Sequence, residues 1–358
     1  MVPALVARRK ARPQTFAVSE STWLYTDDLF LEHQPGAGHP ERPARLRAIL
    51  DELEARPVAG SRVASPAPAT DEQLLRVHTP AHLANLRRVE GTVAALDPDT
   101  SVSPRSVAAA RLAAGAAIDA VEAVSRGAAR NAFALVRPPG HHAKAGAAMG
   151  FCLLNNVAIA AAHAIAALRH ERILLVDWDV HHGNGTQGTF YDRDDVLFVS
   201  THRHPFYPGT GAGEERGRGA GTGFTVNVPL GAAVGDGDHA AIYAELLVPL
   251  SEAYRPDLVL VSAGFDSHRD DPVGDMEMTE DGFATLCGTL RAIAERHAGG
   301  KLVLVLEGGY DLAGLARSVH GCIEILTGAT PPEAQPSTTR AAQALRALRA
   351  LHGEQWGI

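Results

Sequence analysis

Three residues able to bind a metal ion follow a short apolar run at alternate positions. Asp177, Asp179 and His181 come directly after the segment 173–176, Ile-Leu-Leu-Val. Alternate side chains of a β-strand point to the same face, so two carboxylates and an imidazole would share one side. Such groups are costly to bury unless something pairs with them. A divalent metal ion explains the pattern, and the alternative is a polar strand end with ordinary hydrogen bonds.

Four apolar runs lead directly into polar clusters that contain glycine. The runs and clusters are Ala132–Val136 before Arg137–His142, Ile173–Val176 before Asp177–Gly185, Leu258–Ser262 before Ala263–His268, and Leu302–Leu306 before Glu307–Asp311. Nearly continuous Val, Ile and Leu are typical of parallel strands that are covered on both faces. In open α/β sheets, binding sites form beyond the carboxyl ends of the strands. We therefore predict that the four clusters converge on one site.

Amphipathic or Ala-rich segments separate these runs and predict helices. The predicted helices are Asn156–Leu168, His239–Ala253, Thr279–His297 and Asp311–Leu326, and Val196–Ser200 is a further predicted strand. Alternating strands and helices predict a single α/β domain, with a mostly parallel, doubly wound sheet, helices on both faces and the active site at the carboxyl ends of the strands. The predicted divisions are an N-terminal extension at 1–20, the catalytic domain at 21–330 and a helical tail at 331–358.

Composition narrows the class of protein. The chain has 358 residues and a net charge of -8, which argues against a nucleic-acid-binding surface. Its three cysteines contain no CxxC pair and favour buried thiols in a reducing compartment. No run of about 18 apolar residues predicts a membrane span, and no apolar segment follows the basic N-terminus as in a signal peptide. We expect a cytoplasmic protein that binds neither nucleic acid nor membranes.

Six stretches together resemble one known family. They are RPPGHH at 137–142, MGFCLLNN at 149–156, DWDVHHGNGTQ at 177–187, YPGTG at 207–211, AGFDSH at 263–268 and EGGYD at 307–311. In this order they resemble the zinc-dependent histone deacetylase family, in the class II-like branch that includes bacterial deacetylase-like amidohydrolases and acetylpolyamine amidohydrolases. The similarity spans residues 22–328. It implies an arginase/deacetylase-like fold and a metal-dependent amidohydrolase that acts on linear amides.

The resemblance also implies two metal sites. Asp179, His181 and Asp266 would hold one Zn²⁺, and three protein ligands leave a position open for water, as in catalytic zinc sites. Two carboxylates make this site rich in oxygen, which also suits Fe²⁺ or Co²⁺. The family binds a structural K⁺ beside the zinc strand. Asp177, Asp179, His181 and Ser200 match that potassium site, mostly through backbone oxygens.

The catalytic roles implied by the resemblance divide between two histidines. Asp177 would back His141, and Asn184 would back His142. A carboxylate raises the pKa of an imidazole more than a neutral amide does. We therefore predict that His142 is the neutral general base and that His141 stays protonated as an electrostatic partner. Tyr310 would donate its hydroxyl to the developing oxyanion.

The resemblance places six residues along a substrate channel. They are Gly150, Phe151, Tyr207, Val273, Gly308 and, at the rim, Asp99. Polyamine-specific relatives carry an acidic residue where Val273 stands, so valine favours acyl-lysine. Asp270, Asp271 and Asp275 nearby would still attract a cation.

Three functions follow as alternatives. The first is deacetylation of an acetylated lysine peptide or protein, or of a similar acetylated small amine. The second is deacetylation of acetylpolyamines or other small amides. The third is binding of acylated ligands without turnover. The sequence leaves the natural substrate and the oligomeric state open, and both a homodimer and a homotetramer are compatible with it.

Overall fold

One parallel sheet organises the computed structural model, which describes residues 21–358. Its eight strands lie in the order β2-β1-β5-β10-β9-β6-β7-β8, and every neighbouring pair is parallel. The strands are β1 Thr22–Tyr25, β2 Ser61–Ala64, β5 Asn131–Ala134, β6 Ile173–Asp177, β7 Val196–Arg203, β8 Thr225–Leu230, β9 Leu258–Ala263 and β10 Leu302–Leu306. Two short strands, β3 Ala94–Ala95 and β4 Ser101–Val102, form a separate antiparallel pair. The α/β fold with one parallel sheet is confirmed.

Helices flank the sheet. They are α1 Ala44–Ala55, α2 Asp71–Leu74, α3 Pro80–Val89, α4 Ser106–Ser125, α5 Asn156–Leu168, α6 Asn184–Phe190, α7 Asp236–Ile242, α8 Val248–Tyr254, α9 Glu280–His297, α10 Leu312–Leu326 and α11 Thr339–Trp356. A π-helical turn, Tyr243–Leu247, joins α7 to α8, so the helix predicted at 239–253 is continuous but not regular. Short 3-10 turns lie at Asp28–Glu32 and Gly219–Gly221.

The centre of the core consists of the middle strands and the helices that cover them. All residues of β5, β6, β9 and β10 are buried. Helix α4 is mostly alanine on its buried side, which lets it pack closely against α5. At Gly115 of α4 a Cβ atom would lie 1.8 Å from the Ala67 carbonyl oxygen, so only glycine fits there. Helices α1 and α9 both pack against α10.

The C-terminal part of the chain covers one edge of the sheet. Helix α11 packs against β8 and α7, and the Trp356 ring contacts the rings of Phe224 and Tyr254.

The sequence prediction did not identify β8 or β2. The proposed division at residue 330 stays a prediction, and the predicted N-terminal extension lies outside the described residues. In the described part of the chain, no helix is both long and apolar enough to cross a membrane.

Candidate active site

The four polar clusters predicted from the sequence follow β5, β6, β9 and β10, which are neighbours in the sheet. Beyond their carboxyl ends lies a cavity of about 220 Å³. Its lining residues are Asp99, Pro139, His141, His142, Gly150, Phe151, His181, Phe206, Tyr207, Val273, Gly308 and Tyr310. All six residues predicted for the substrate channel are in this lining.

Three potential metal ligands lie together next to the cavity, and one of them, His181, lines it. One ligand atom each of Asp179, His181 and Asp266 lies within 4.8 Å of the others, and all three residues are buried. The Nδ1 atom of His181 is 3.1 Å from Asp179 Oδ1 and 3.1 Å from Asp266 Oδ2. No lysine or arginine in residues 21–358 forms an ion pair with either carboxylate. Two buried carboxylates that have an imidazole beside them and no lysine or arginine partner fit a divalent metal ion.

Backbone amides and two glycines hold these carboxylates in place. The amide of Gly308 donates to Asp179 Oδ2 at 2.9 Å, and the amide of Val180 donates to Asp266 Oδ1 at 2.9 Å. A Cβ atom at Gly308 would lie 2.2 Å from Asp266 Oδ2, and one at Gly264 would lie 2.0 Å from Asp179 Oδ2. A side chain at either position would therefore displace a potential metal ligand.

Two adjacent histidines have different partners. His141 Nδ1 lies 3.0 Å from Asp177 Oδ2, whereas His142 Nδ1 lies 2.8 Å from Asn184 Oδ1. Burial opposes protonation of His141, but the nearby carboxylates of Asp179 and Asp177 raise its pKa well above the ordinary value. Burial and the two neighbouring histidines lower the pKa of His142 well below the ordinary value. The two adjacent imidazoles therefore have pKa values displaced in opposite directions.

Tyr310 is fixed through its backbone and its ring. The buried carboxylate of Asp271 accepts hydrogen bonds from the amides of Tyr310, at 2.6 Å, and Asp311, at 3.1 Å. The guanidinium carbon of Arg45 lies 5.0 Å from the centre of the Tyr310 ring. Burial raises the pKa of Tyr310 well above its ordinary value, so the phenol keeps its proton and can donate it in a hydrogen bond.

Two buried charged residues support the site without lining the cavity. Glu307 Oε2 accepts from the amides of Gly140 and His141 at 2.6 and 3.1 Å, which positions the histidine pair. Arg45 is fully buried and donates to the carbonyls of Glu307 and Gly309, both at 2.5 Å. Glu307 opens the EGGYD stretch, and that adjacency is the one sequence signal for its position.

Aromatic rings form the walls of the cavity. The Phe151 ring lies edge-on to Tyr310, with centroids 6.1 Å apart, and Tyr207 lies edge-on to His142 at 5.1 Å. Phe206 stacks on His181 at 5.3 Å and was not predicted, although it precedes Tyr207 in the chain. Gly150 has φ +56°, and a Cβ atom there would lie 2.4 Å from His142 Cδ2. The backbone at Gly150 therefore lies so close to the His142 ring that a side chain at residue 150 would clash with it.

The acidic residues around the cavity are largely engaged. Asp99 Oδ1 accepts from the amide of Gly150 at 3.0 Å and from the hydroxyl of Thr100 at 2.9 Å. Asp271 points inward to backbone amides, and Asp275 pairs with Arg203 at 3.0 Å. Of the three aspartates expected to attract a cation near Val273, only Asp270 is exposed without a strong partner.

The residues expected around K⁺ lie on neighbouring strands. Asp177 of β6 is in register with Ser200 of β7. The Thr201 hydroxyl donates to the Asp177 carbonyl at 3.5 Å, and the Ser200 hydroxyl lies 2.9 Å from His202 Nδ1. The potassium assignment stays a prediction, as do the catalytic roles.

The sequence of this chain is similar to those of known deacetylases over most of its length. Residues 39–326 match the histone deacetylase domain. A probable deacetylase of Archaeoglobus fulgidus is 41% identical over 296 residues, covering 82% of each chain. A histone deacetylase-like amidohydrolase of Pseudomonas aeruginosa is 41% identical over 335 residues, covering 87% of each. The human polyamine deacetylase HDAC10 is 42% identical over 88% of this chain, which spans 49% of that protein.

A solved structure agrees with these sequence matches. The HD domain of HDA15 superimposes with a TM-score of 0.88 and 38% identity. The alignment covers 94% of this chain and 96% of that domain.

Proposed function

This chain belongs to the histone deacetylase family, whose members hydrolyse acetyl amides, and from that premise we propose a zinc-dependent deacetylase. Its substrate would be the acetamide of N-acetyl-lysine or of a similar acetylated amine. The observation that carries the proposal is the pair of unlike histidines beside three buried potential metal ligands. His141 faces a carboxylate at 3.0 Å and His142 faces an amide at 2.8 Å. General base catalysis needs one imidazole that is neutral near pH 7.

Asp179, His181 and Asp266 would hold the metal. When bound there, Zn²⁺ supplies Lewis-acid polarisation of the acetyl carbonyl and lowers the pKa of water. The oxygen-rich ligand set is also compatible with Fe²⁺ or Co²⁺.

The protein side chains would move the protons. Asn184 Oδ1 accepts from His142 Nδ1, so Nε2 keeps a lone pair to take the proton from the attacking water. The same atom then returns that proton to the leaving amine. His141 stays protonated and stabilises the negative charge that develops. The Tyr310 hydroxyl, kept protonated by burial, donates a hydrogen bond to the oxyanion.

The channel favours an uncharged methylene chain over a polycation. Phe151 and Tyr207 line the cavity together with the apolar Val273. Two of the three nearby aspartates are held by backbone amides or by Arg203. Acetyl-lysine is therefore the preferred substrate class. Deacetylation of acetylpolyamines is the alternative, because a relative named as a polyamine deacetylase is 42% identical.

A substrate panel with and without chelator tests the proposal. Acetyl-lysine peptides and acetylated polyamines would be incubated with the protein, and free acetate would be measured. We expect acetate release from the peptides, loss of release after metal chelation and recovery when Zn²⁺ is added. Release that survives chelation and the Asp179→Asn substitution would overturn the zinc mechanism. Tight binding without release would favour an acyl-ligand binding protein.

The structural K⁺ belongs to the same proposal. Asp177, Asp179, His181 and Ser200 would hold it, mainly through backbone oxygens, beside the zinc ligands. Thermal stability in KCl compared with tetramethylammonium chloride at equal ionic strength tests this site, and equal stability would speak against it.

A further inference from the structure

A chain of hydrogen-bonded polar side chains, three of them buried, contacts the wall segment that carries Tyr207. We call it the wall network, and it consists of His182, Gln187, Thr210, Glu215 and Asn227. None of the five was assigned a role in the proposed reaction. His182 directly follows the potential metal ligand His181, and Thr210 lies three residues after Tyr207. The network therefore connects the segment that carries the potential metal ligands to one side of the substrate channel.

The hydrogen bonds of the wall network form a continuous chain, with lengths from 2.6 to 3.2 Å. Glu215 Oε1 accepts from the amides of Gly211 and Ala212 at 3.0 and 3.2 Å. Glu215 Oε2 accepts from Gln187 Nε2 at 2.6 Å. Gln187 Oε1 lies 2.9 Å from His182 Nε2, and His182 Nδ1 lies 2.8 Å from the hydroxyl of Thr210.

The carboxylate of Glu215 fixes the direction of every bond in this chain. A carboxylate only accepts, so Gln187 must present its NH₂ group to Glu215 and its carbonyl oxygen to His182. Asn227 Nδ2 donates to that same Gln187 oxygen at 2.7 Å, which agrees with this orientation. His182 then carries its proton on Nε2 and accepts from Thr210 at Nδ1. This tautomer is assigned from the hydrogen-bond network.

The segment held by these bonds has little freedom to move. Gly211 has φ +90°, and a Cβ atom there would lie 2.4 Å from His202 Nε2 and 2.6 Å from His182 Cγ. The carbonyl of Gly211 also lies 2.9 Å from His202 Nε2. With its amide bonded to Glu215 and its carbonyl to His202, Gly211 is held on both sides.

We propose that Glu215 and Gln187 are positioning residues that hold the Tyr207 wall at the distance from the metal site that grips the substrate chain. This inference rests on the proposed function, because it assigns the network a part in substrate binding. Neither side chain lines the cavity, so both act through the backbone at 210–212. Loss of their bonds would loosen the wall without removing a group that takes part in proton transfer.

The complementary swap of the two side chains tests the proposal. In Glu215→Gln, the new NH₂ group faces either the NH₂ of Gln187 or the amides of Gly211 and Ala212, which are all donors. Gln187→Glu places two carboxylates against each other. The double variant restores one donor and one acceptor, and Glu at 187 still accepts from His182 and Asn227. We expect each single variant to raise KM for an acetyl-lysine peptide about tenfold, the effect of losing one charge-assisted, partly buried hydrogen bond, with a smaller change in kcat. The double variant should return close to the wild-type KM.

Hydrogen exchange gives a second readout that does not depend on catalysis. The amides of Gly211 and Ala212 should exchange faster in both single variants than in the wild type and slowly again in the double variant. Glu214→Gln is the matched control, since Glu214 is the exposed neighbour of Glu215 and should change neither readout.

Two results would overturn the proposal: single variants with wild-type KM and exchange, or a double variant as impaired as the singles. A wild-type protein that releases no acetate from any acetyl amide would defeat the proposed function instead, and the exchange measurements would still decide whether the network holds the wall.

Discussion

The Nδ1 atom of His142 lies 2.8 Å from the Oδ1 atom of Asn184. The corresponding atom of His141 lies 3.0 Å from a carboxylate oxygen of Asp177. The two adjacent imidazoles therefore have different hydrogen-bond partners at Nδ1. The partner of His142 is a neutral amide oxygen, and the partner of His141 is a charged carboxylate. Burial and the neighbouring histidines already lower the pKa of His142. A neutral partner leaves that lowered pKa in place, which keeps this imidazole ready to accept a proton.

Asn184→Asp should give His142 a carboxylate partner like the one that His141 has in Asp177. A carboxylate stabilises the imidazolium, so the pKa of His142 rises, by about 1 to 3 units for a close charge. The base is then protonated at higher pH, and the acidic limb of the kcat/KM profile moves to higher pH. Initial rates measured from pH 5 to 9 check this shift. An acidic limb at the wild-type pH in an active, folded variant would contradict the role of His142 as base.

Tyr310→Phe should remove the hydrogen bond to the oxyanion and little else. The ring, its contact with Phe151 and the backbone bonds to Asp271 can all remain. We expect kcat to fall by about 10²- to 10³-fold with a small change in KM. Steady-state kinetics would measure both constants. Tyr191→Phe serves as control, because Tyr191 does not line the cavity. A wild-type kcat in Tyr310→Phe would contradict the assignment of Tyr310 as the hydrogen-bond donor to the oxyanion.

Metal removal should lower both activity and stability. The carboxylates of Asp179 and Asp266 are fully buried, so a bound divalent ion relieves their repulsion only in the folded state. At a free Zn²⁺ concentration about 100 times Kd, the free energy of unfolding should rise by about 2.7 kcal/mol. Thermal denaturation before and after chelation measures the shift.

Two variants separate a specific metal effect from a general one. Asp179→Asn should lose the Zn²⁺-dependent rise in Tm, whereas Asp192→Asn should keep it. Asp192 lies on the surface, paired with Arg218, and its side chain is 60% exposed. Equal Tm values for the wild type with and without Zn²⁺ would count against the metal site.

The central strands and the site they carry were predictable because both follow from local pattern. The runs at 173–176, 258–261 and 302–306 are apolar throughout, as is typical of strands buried on both faces. Parallel strands present their carboxyl ends at one edge, so the polar clusters after them had to meet. The alternation of Asp177, Asp179 and His181 pointed to a metal site, but the reason given for it was wrong. Strand β6 ends at Asp177, so Asp179 and His181 lie beyond the strand, and Asp177 faces His141 instead of the other two potential ligands.

What escaped prediction depends on contacts between distant parts of the chain. Arg45 donates to the carbonyl of Gly309, 264 residues away, and no local pattern encodes that bond. Strand β8, Thr-Val-Asn-Val-Pro-Leu, contains Pro229, which opposes strand formation except at an edge, where the fold places it. Asp271 was expected to attract a cation, yet it accepts hydrogen bonds from the amides of Tyr310 and Asp311. The orientation of the Asp271 side chain depends on the conformation of the folded loop, which a local sequence pattern does not give.

Glu41→Gln should lower the free energy of unfolding, because Glu41 belongs to a buried ion-pair cluster. Glu41 is fully buried between Arg45, Arg137 and His33, so its loss leaves two buried guanidinium groups without their carboxylate. Breaking a buried ion pair in this way costs about 3 to 5 kcal/mol. Urea denaturation at pH 7 measures the change. Glu52→Gln is the control, because its partner Arg56 is 57% exposed and such a pair contributes less than about 1 kcal/mol.

The Glu41 contribution should depend on pH with a definite sign. Burial opposes ionisation of Glu41, but Arg137 and His33 hold its pKa well below the ordinary value of 4.5. A depressed carboxyl pKa stabilises the fold above the unfolded-state pKa and loses that effect as pH falls. The stability gap between wild type and Glu41→Gln should therefore be full at pH 7 and shrink below about pH 4.5. A gap that grows on acidification would contradict the ion-pair assignment.

Val273→Glu should shift the substrate preference toward acetylpolyamines. Val273 is an apolar part of the cavity lining, and a carboxylate there would face the free ammonium groups of a polyamine chain. We expect the ratio of kcat/KM for acetylspermidine to that for an acetyl-lysine peptide to rise about tenfold, the size of one charge pair near a protein surface, and to fall again as salt is added. Val273→Gln is the matched control, with similar size and no charge. If both variants change the ratio equally, the shape of the side chain and not its charge sets the preference, and the argument that valine selects for acyl-lysine is wrong.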